Sequence, residues 1–262
     1  MQRREILDRL TGEDRTLVAR LWDLAERADR HGGSEFSQFM DPGQRSLVFD
    51  YSHLWPVEIC SFGGFEDAER QIVAVTGRLT AGVSSESLDW PVAAVEVTGS
   101  FQFAKVTHRD YLGALLSLGL KRELFGDILV MSNGCQVVLH AHALPFVLAN
   151  WASVGPVGIE VRQLELASLR PPERESTERT ATVATLRLDA IVAVAYGLSR
   201  ARATELIKAG KVKLNHRPEA RPDRLLAEGA MLSLAGLGRA ELLTVGGASK
   251  SGRVFIKVGR WR

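Results

Sequence analysis

Nine residues between positions 187 and 217 have the chemistry to hold an anion: Arg187, Ser199, Arg200, Arg202, Lys208, Lys211, Lys213, Asn215 and Arg217. Guanidinium forks and ammonium groups bind phosphate oxygens, and a serine hydroxyl beside the backbone amides of a helix start adds neutral donors aimed at the same place. Arg200 and Arg202 are the informative pair. They fall in the first turn of an expected helix, where the macrodipole disfavours cations by roughly 0.3–1 kcal/mol. A helix with only a structural role favours acids there, whereas a bound phosphate reverses the sign. The elements that must position these groups are legible. Leu188, Ile191, Val192 and Ala195 recur at helical spacing, and Gly197 is a natural left-handed stop. Ser199 then caps a second helix with Ala203, Leu206 and Ile207 on its apolar face, ending at Gly210, and Lys211–Leu214 alternates as a strand does.

The charge distribution sets this stretch apart. The 262 residues carry a net charge of only +2, yet residues 1–180 hold 18 Lys+Arg against 25 Asp+Glu, a balance of −7, while residues 181–262 hold 15 against 6, a balance of +9. A small basic unit is joined to an acidic body, the footprint expected when one module binds a polyanion. Hydrophobic content of 45% and charged content of 24% are ordinary globular values and exclude whole-chain disorder and collagen-like or coiled-coil composition. Two cysteines, Cys60 and Cys135, cannot build a disulfide framework or a four-ligand zinc site, and a reducing cytoplasm is the expected setting. The charged start, Met1–Leu10, does not read as a secretory signal, and the most apolar stretch, Val137–Trp151, is broken by His140, His142 and Pro145, so no membrane span is expected.

Patterning predicts an α+β protein in three parts. Residues 1–55 read as a helical segment, with Thr11 and Asp14 as a capping signal between its first two helices and Asp41-Pro42 opening a third near Gln44–Phe49. Residues 56–169 read as a central α+β domain. Its strand-like runs are Val57–Ser61, Gln71–Thr76 and Val92–Val106, the last expected as a hairpin turning at Gly99-Ser100. Thr107 and Asp110 cap a helix through Leu118; Asp127–Met131 and Cys135–Ala141 flank an Asn133-Gly134 turn; a helix near Leu144–Trp151 and a strand Val157–Leu166 follow. The resulting β-α-β-β-α-β order over about 101–166 is that of a ferredoxin-like or RRM-like sandwich. The expected third strand, Cys135–Ala141, has no Phe or Tyr on which bases could stack. RNA contact by this domain would therefore run through charge, with Lys105, Arg109, Lys121 and Arg122 as the candidates and a solvated edge as the equal alternative. Residues 170–183 read as a linker, and 184–262 as the basic module, with Glu228-Gly229 turning into a strand Met231–Leu234.

The runs Arg187-Leu188-Asp189, Gly197-Leu198-Ser199-Arg200 and Leu206 through Asn215 resemble the S-four-type RNA-binding domain, named for a small-subunit ribosomal protein, over about residues 184–235. His216 departs from the pattern, standing where many such domains have the glycine of an Asn-Gly turn, so the resemblance does not fix that hairpin. Phe36–Pro42, Ser61–Arg70, Thr107–Leu115, Leu118–Glu123 and Gly126–Val130, with Gly246-Gly247 and Lys250–Arg253, extend the likeness to the YlmH family of bacterial proteins across nearly the whole chain. That resemblance implies a non-enzymatic protein that binds ribosomal RNA or tRNA on the large ribosomal subunit, beside the tRNA of a stalled nascent chain. It also implies roles around cell division, for which the acidic N-terminal body would supply a protein-interaction surface. It marks Arg187, Ser199 and Arg200 as the first RNA contacts.

Signatures of catalysis are missing from the sequence. There is no Walker A pattern and no strand-then-GxGxxG unit; Gly236-Leu237-Gly238-Arg239 is two glycines in a basic hairpin. His140 and His142 share a strand face without a Cys, Asp or Glu at ligand spacing, so no metal and no cofactor are expected. An RNA-modifying enzyme with an unrecognised active site in the central domain is the alternative of a different class.

Overall fold

The computed structural model describes residues 3–55, 57–77, 87–101, 106–172, 177–248 and 252–261. The chain divides into two compact units, Met1–Pro172 and Glu173–Arg262.

The first unit opens with helices α1 (Arg3–Leu7) and α2 (Gly12–His31). Val18, Leu21, Ala25 and Ala28 form the buried stripe of α2, and Gly32, at φ 66°, ends it by donating its amide to the Ala28 carbonyl. Thr11 occupies the cap position but its side chain makes no capping hydrogen bond; Glu13 and Asp14 complement the helix start by charge. Strand β1 (Ser34–Phe36) precedes α3 (Pro42–Ser52), whose start carries a complete capping box: the Asp41 carboxylate accepts from the Gln44 amide while the Gln44 side chain accepts from the Asp41 amide, both at 2.9 Å.

Strands β2 (Val57–Phe62) and β3 (Ile72–Gly77) join β1 in an antiparallel sheet of order β1-β3-β2. β2 and β3 complete the sheet on which the N-terminal helices pack, so this sheet is built from both sides of the expected boundary at residue 55. Val73 and Val75 face those helices, and Ile72 faces the opposite way, so β3 is buried on both sides and reads as an unbroken apolar run.

The remaining strands of this unit form a second antiparallel sheet: β4 (Val92–Gly99), β5 (Phe125–Met131), β6 (Gly134–His140), β7 (Ser153–Val154) and β8 (Val157–Leu164), in the order β5-β6-β4-β8-β7. Helices α4 (His108–Ser117) and α5 (Leu144–Asn150) cover one face around Val95, Val97, Phe125, Val137 and Leu139. With β4, β5, β6 and β8 as the four principal strands, this is the ferredoxin-like order, beginning at Val92 rather than near residue 101. β6 and β8 pair along both edges of β4, and the returning strand of the expected hairpin at Gly99-Ser100 falls outside the described residues. Residues 102–105 lie outside the described residues. The tight turn between β5 and β6 consists of Ser132 and Asn133, with Gly134 already paired to Met131.

In the second unit a six-stranded antiparallel sheet has the order β11-β10-β12-β13-β14-β9. Its strands are β9 (Thr177–Val183), β10 (Val212–Leu214), β11 (Arg217–Pro218), β12 (Met231–Leu234), β13 (Gly238–Ala248) and β14 (Val254–Trp261). Helices α6 (Leu188–Tyr196) and α7 (Arg200–Lys208) pack on it through Leu188, Ile191, Ala195, Ala203 and Ile207 against Leu232, Ala240, Leu242 and Ile256. The expected linker, 170–183, is strand from Thr177 onward, because β9 pairs with β14 over seven residues.

Candidate nucleic-acid interface

The junction of α6 and α7 is built by local rules. Tyr196 anchors the end of α6 by donating its hydroxyl to the Gly238 carbonyl at 3.1 Å, with Arg260 stacked over its ring. Gly197 then adopts φ 66°, a conformation that costs an L side chain roughly 1–2 kcal/mol, and the Leu198 amide closes back on the Ala193 carbonyl at 2.9 Å. Two residues later the Ser199 hydroxyl accepts the Arg202 amide at 3.2 Å and starts α7. The serine oxygen is thus already used within the helix cap.

Arg187 and Arg200 are brought together by an acid whose role the sequence does not disclose. Asp189, only 4% exposed, accepts Arg187 Nε and Nη2 at 3.3 and 3.0 Å and Arg200 Nη2 at 3.1 Å. Burial raises the Asp189 carboxyl, but hydrogen bonds from the two guanidinium groups, and their charges, outweigh it and hold the carboxyl below the usual range. The same hydrogen bond pushes the Arg187 pKa up. Both arginines keep open surface, with 35% and 55% of their side chains exposed. The cluster carries two positive charges against one negative and presents a single excess positive charge. The first amides of α6 are taken by a neighbouring loop, Leu188 N–H bonding to the Arg224 carbonyl and Asp189 N–H to that of Pro222. The side chain of Leu225, beside Arg187 across a β-bridge, is largely exposed.

Arg202 lies roughly 200° around the helix axis from Arg200 and pairs with Glu205 at 2.6 Å, an exposed bridge of small energetic weight. Lys208 closes α7, and Lys211, Lys213 and Arg217 follow along β10 and its hairpin, all exposed. Asn215 and His216 form the two-residue loop between β10 and β11, with φ 46° and 67°. The departure from glycine at position 216 therefore leaves the tight hairpin intact, with a histidine held in the left-handed region. Asn215 also serves the fold, its side-chain oxygen accepting the Met231 amide at 2.9 Å.

The central sheet offers no comparable surface. Its face opposite α4 and α5 is covered from within the first unit by Phe39, Ile72 and the 166–169 segment around Val138. A Cβ on Gly126 would stand 2.8 Å from the Phe39 ring, which shows how closely the two sheets meet. Gln136, 1% exposed at the middle of this face, accepts the Arg170 amide at 2.7 Å and donates to Glu96 and the Ser168 carbonyl at 3.4 Å. Glu96 is clasped by Arg162. The surface on which an RRM stacks bases is thus closed here.

Of the four secondary candidates, Lys105 lies outside the described residues, and Arg109 and Lys121 are exposed. Arg122 turns inward and donates to the Phe125 and Gly126 carbonyls at 2.6 and 3.3 Å. Burial, with repulsion from Arg70, pushes its pKa down to about 10. This guanidinium serves as a tie within the fold. Arg70 acts alike, bonding to the Phe125 and Phe39 carbonyls, while Asp127 accepts the amides of Glu69 and Arg70 at 2.6 and 3.1 Å.

His140 and His142 bring their Nδ1 atoms within 2.8 Å, and among the described residues no group of three or more His, Cys, Asp or Glu could hold a metal ion. Cys135 is buried and its thiol is pushed up by desolvation, the opposite of nucleophile activation. No helix of the described residues is long and apolar enough to cross a membrane.

A left-handed glycine and a serine-capped turn joining two helices on an antiparallel sheet with exposed cations, in a chain that also holds a ferredoxin-like unit, match two RNA-binding family models. Residues 186–232 match the family model described as "S4 domain", and residues 85–168 that of the "Putative RNA-binding domain in YlmH". The chain is 32% identical over 216 residues to the "Ribosome-associated protein quality control protein P2" of Bacillus subtilis (strain 168), covering 82% of this chain and 83% of that one. It belongs to the YlmH family. In fold it is also similar to the "Cell division protein ylmH from Streptococcus pneumoniae", with a TM-score of 0.50 and 21% identity over 60% of this chain and 94% of that one.

Proposed function

We propose that the protein is a non-enzymatic adaptor that grips folded ribosomal RNA or tRNA on the large ribosomal subunit, in complexes whose nascent chain has stalled. This reading sets it to work in the cytoplasm without a cofactor. The observation that carries it is the convergence of Arg187 and Arg200 beside the α6–α7 turn, continued by Lys208, Lys211, Lys213 and Arg217. Exposed cations in this number, beyond the pair a small-molecule anion would need, suit a polyanion such as a sugar-phosphate backbone. Support also comes from the relative whose name assigns it to ribosome-associated quality control.

Four to six phosphate contacts correspond to a log-log salt slope of roughly −3 to −5. Co-sedimentation with purified bacterial large subunits across a salt series should give that slope. The double variant Arg187→Ala/Arg200→Ala should leave the particles at a salt concentration where the unaltered protein stays bound. A slope near zero, or full retention of the double variant, contradicts the proposal.

A further inference from the structure

We infer that Asp189 is a positioning residue for RNA binding: its buried carboxylate fixes the forks of Arg187 and Arg200 in one orientation before any phosphate arrives. The inference rests on the reading of this patch as the RNA-binding surface. Its observations are geometric. Asp189 is nine-tenths or more buried, both of its oxygens are engaged, and their donors come from different elements, the N-cap of α6 and the first turn of α7. A residue placed for charge alone would be the wrong choice at this site. An aspartate between the arginines cancels half of their positive charge, and in a simple Coulomb picture it weakens attraction to a polyanion. What it supplies is order. A free arginine must lose much of its rotamer freedom on binding, and holding the fork in place beforehand removes part of that cost. The guanidinium has five donors, and those not on Asp189 remain for a phosphate. The carboxylate offers two acceptor oxygens to the two arginines; an asparagine offers one, and turns an NH2 group toward a cation.

This makes the sign of a single substitution decisive. Asp189→Asn adds one unit of positive charge to the patch. Charge alone predicts tighter binding, and positioning predicts weaker binding. With the full-length chain and bulk bacterial ribosomal RNA as the probe, Asp189→Asn should bind at least about tenfold more weakly, equivalent to about 1.4 kcal/mol. On the Arg187→Ala/Arg200→Ala background the same change should have no further effect, because the groups it orients are gone. Thermal melting establishes that the variants are folded. Arg200→Lys keeps the charge and the exposed position but not the fork, and is the second arm should the asparagine variant fail to fold; it too should lose about tenfold. Equal or tighter binding by Asp189→Asn, or unchanged binding by Arg200→Lys, overturns the inference while leaving the RNA-binding reading intact. If the double alanine variant itself binds normally, the reading of the patch fails, and the inference with it.

Discussion

The two units use arginine in opposite ways. In the first, Arg70 and Arg122 point inward onto neutral carbonyl oxygens, and burial depresses their pKa. In the second, Arg187 and Arg200 rest on a carboxylate and keep open surface, and the Arg187 pKa is raised. The acceptor decides the role. Carbonyls take the guanidinium donors while Asp41, Asp127 and Glu123 offset the charge through space, and each arginine serves as a tie between segments. A buried carboxylate between two arginines holds them at the surface with charge to spare.

The comparison can be broken by substitution. The largest effect is expected from Arg187→Ala/Arg200→Ala: roughly a hundredfold loss of RNA affinity, at about 1.4 kcal/mol per contact, read at a temperature where the variant is folded, because the melting temperature also falls once Asp189 is left buried without its partners. Arg122→Ala should act on stability alone. It leaves the Phe125 and Gly126 carbonyls without their donor, so chemical denaturation of the first unit should report a loss of about 1–3 kcal/mol, while RNA affinity at a temperature where the protein is folded stays the same. A fall in RNA affinity without a fall in stability would reassign Arg122 to the interface. The smallest effect concerns the hairpin at residue 216. On backbone terms alone, replacing His216 with glycine relieves a left-handed cost of ~1–2 kcal/mol and adds ~0.5–1 kcal/mol of chain entropy, a small gain that loss of the histidine's own interaction opposes. A denaturation midpoint that falls instead would mean that the histidine side chain stabilises the turn.

Much of this difference was legible in the residues. Gly197 and Ser199 announce the α6–α7 turn because the left-handed stop and the serine cap are local necessities, and Asp41-Pro42 announces α3 for the same reason. The covering of the central sheet face was not legible. It arises from contact between strands far apart in sequence, Ile72 and Val138 among them, and its local traces are only the unbroken apolar run of β3 and a glycine at 126. β9 leaves no trace in the sequence because it is an edge strand with mostly exposed side chains, and such a strand shows no apolar alternation. The turn signal at Gly99 ends a strand whose two edges are both taken by long-range pairings. Asp189 stands in plain view as an acid in the first turn of a helix, a position explained well enough by the helix dipole. Its grip on Arg200 depends on how the turn returns the chain.

The central claim is that RNA meets the α6–α7 surface and not the face of the ferredoxin-like sheet. Ultraviolet crosslinking of the protein to purified bacterial ribosomes, followed by mass spectrometry of the crosslinked peptides, tests it directly. Nucleotide adducts should fall on peptides between residues 187 and 217. Adducts concentrated on residues 92–99 and 134–140, with none in the C-terminal unit, would contradict it.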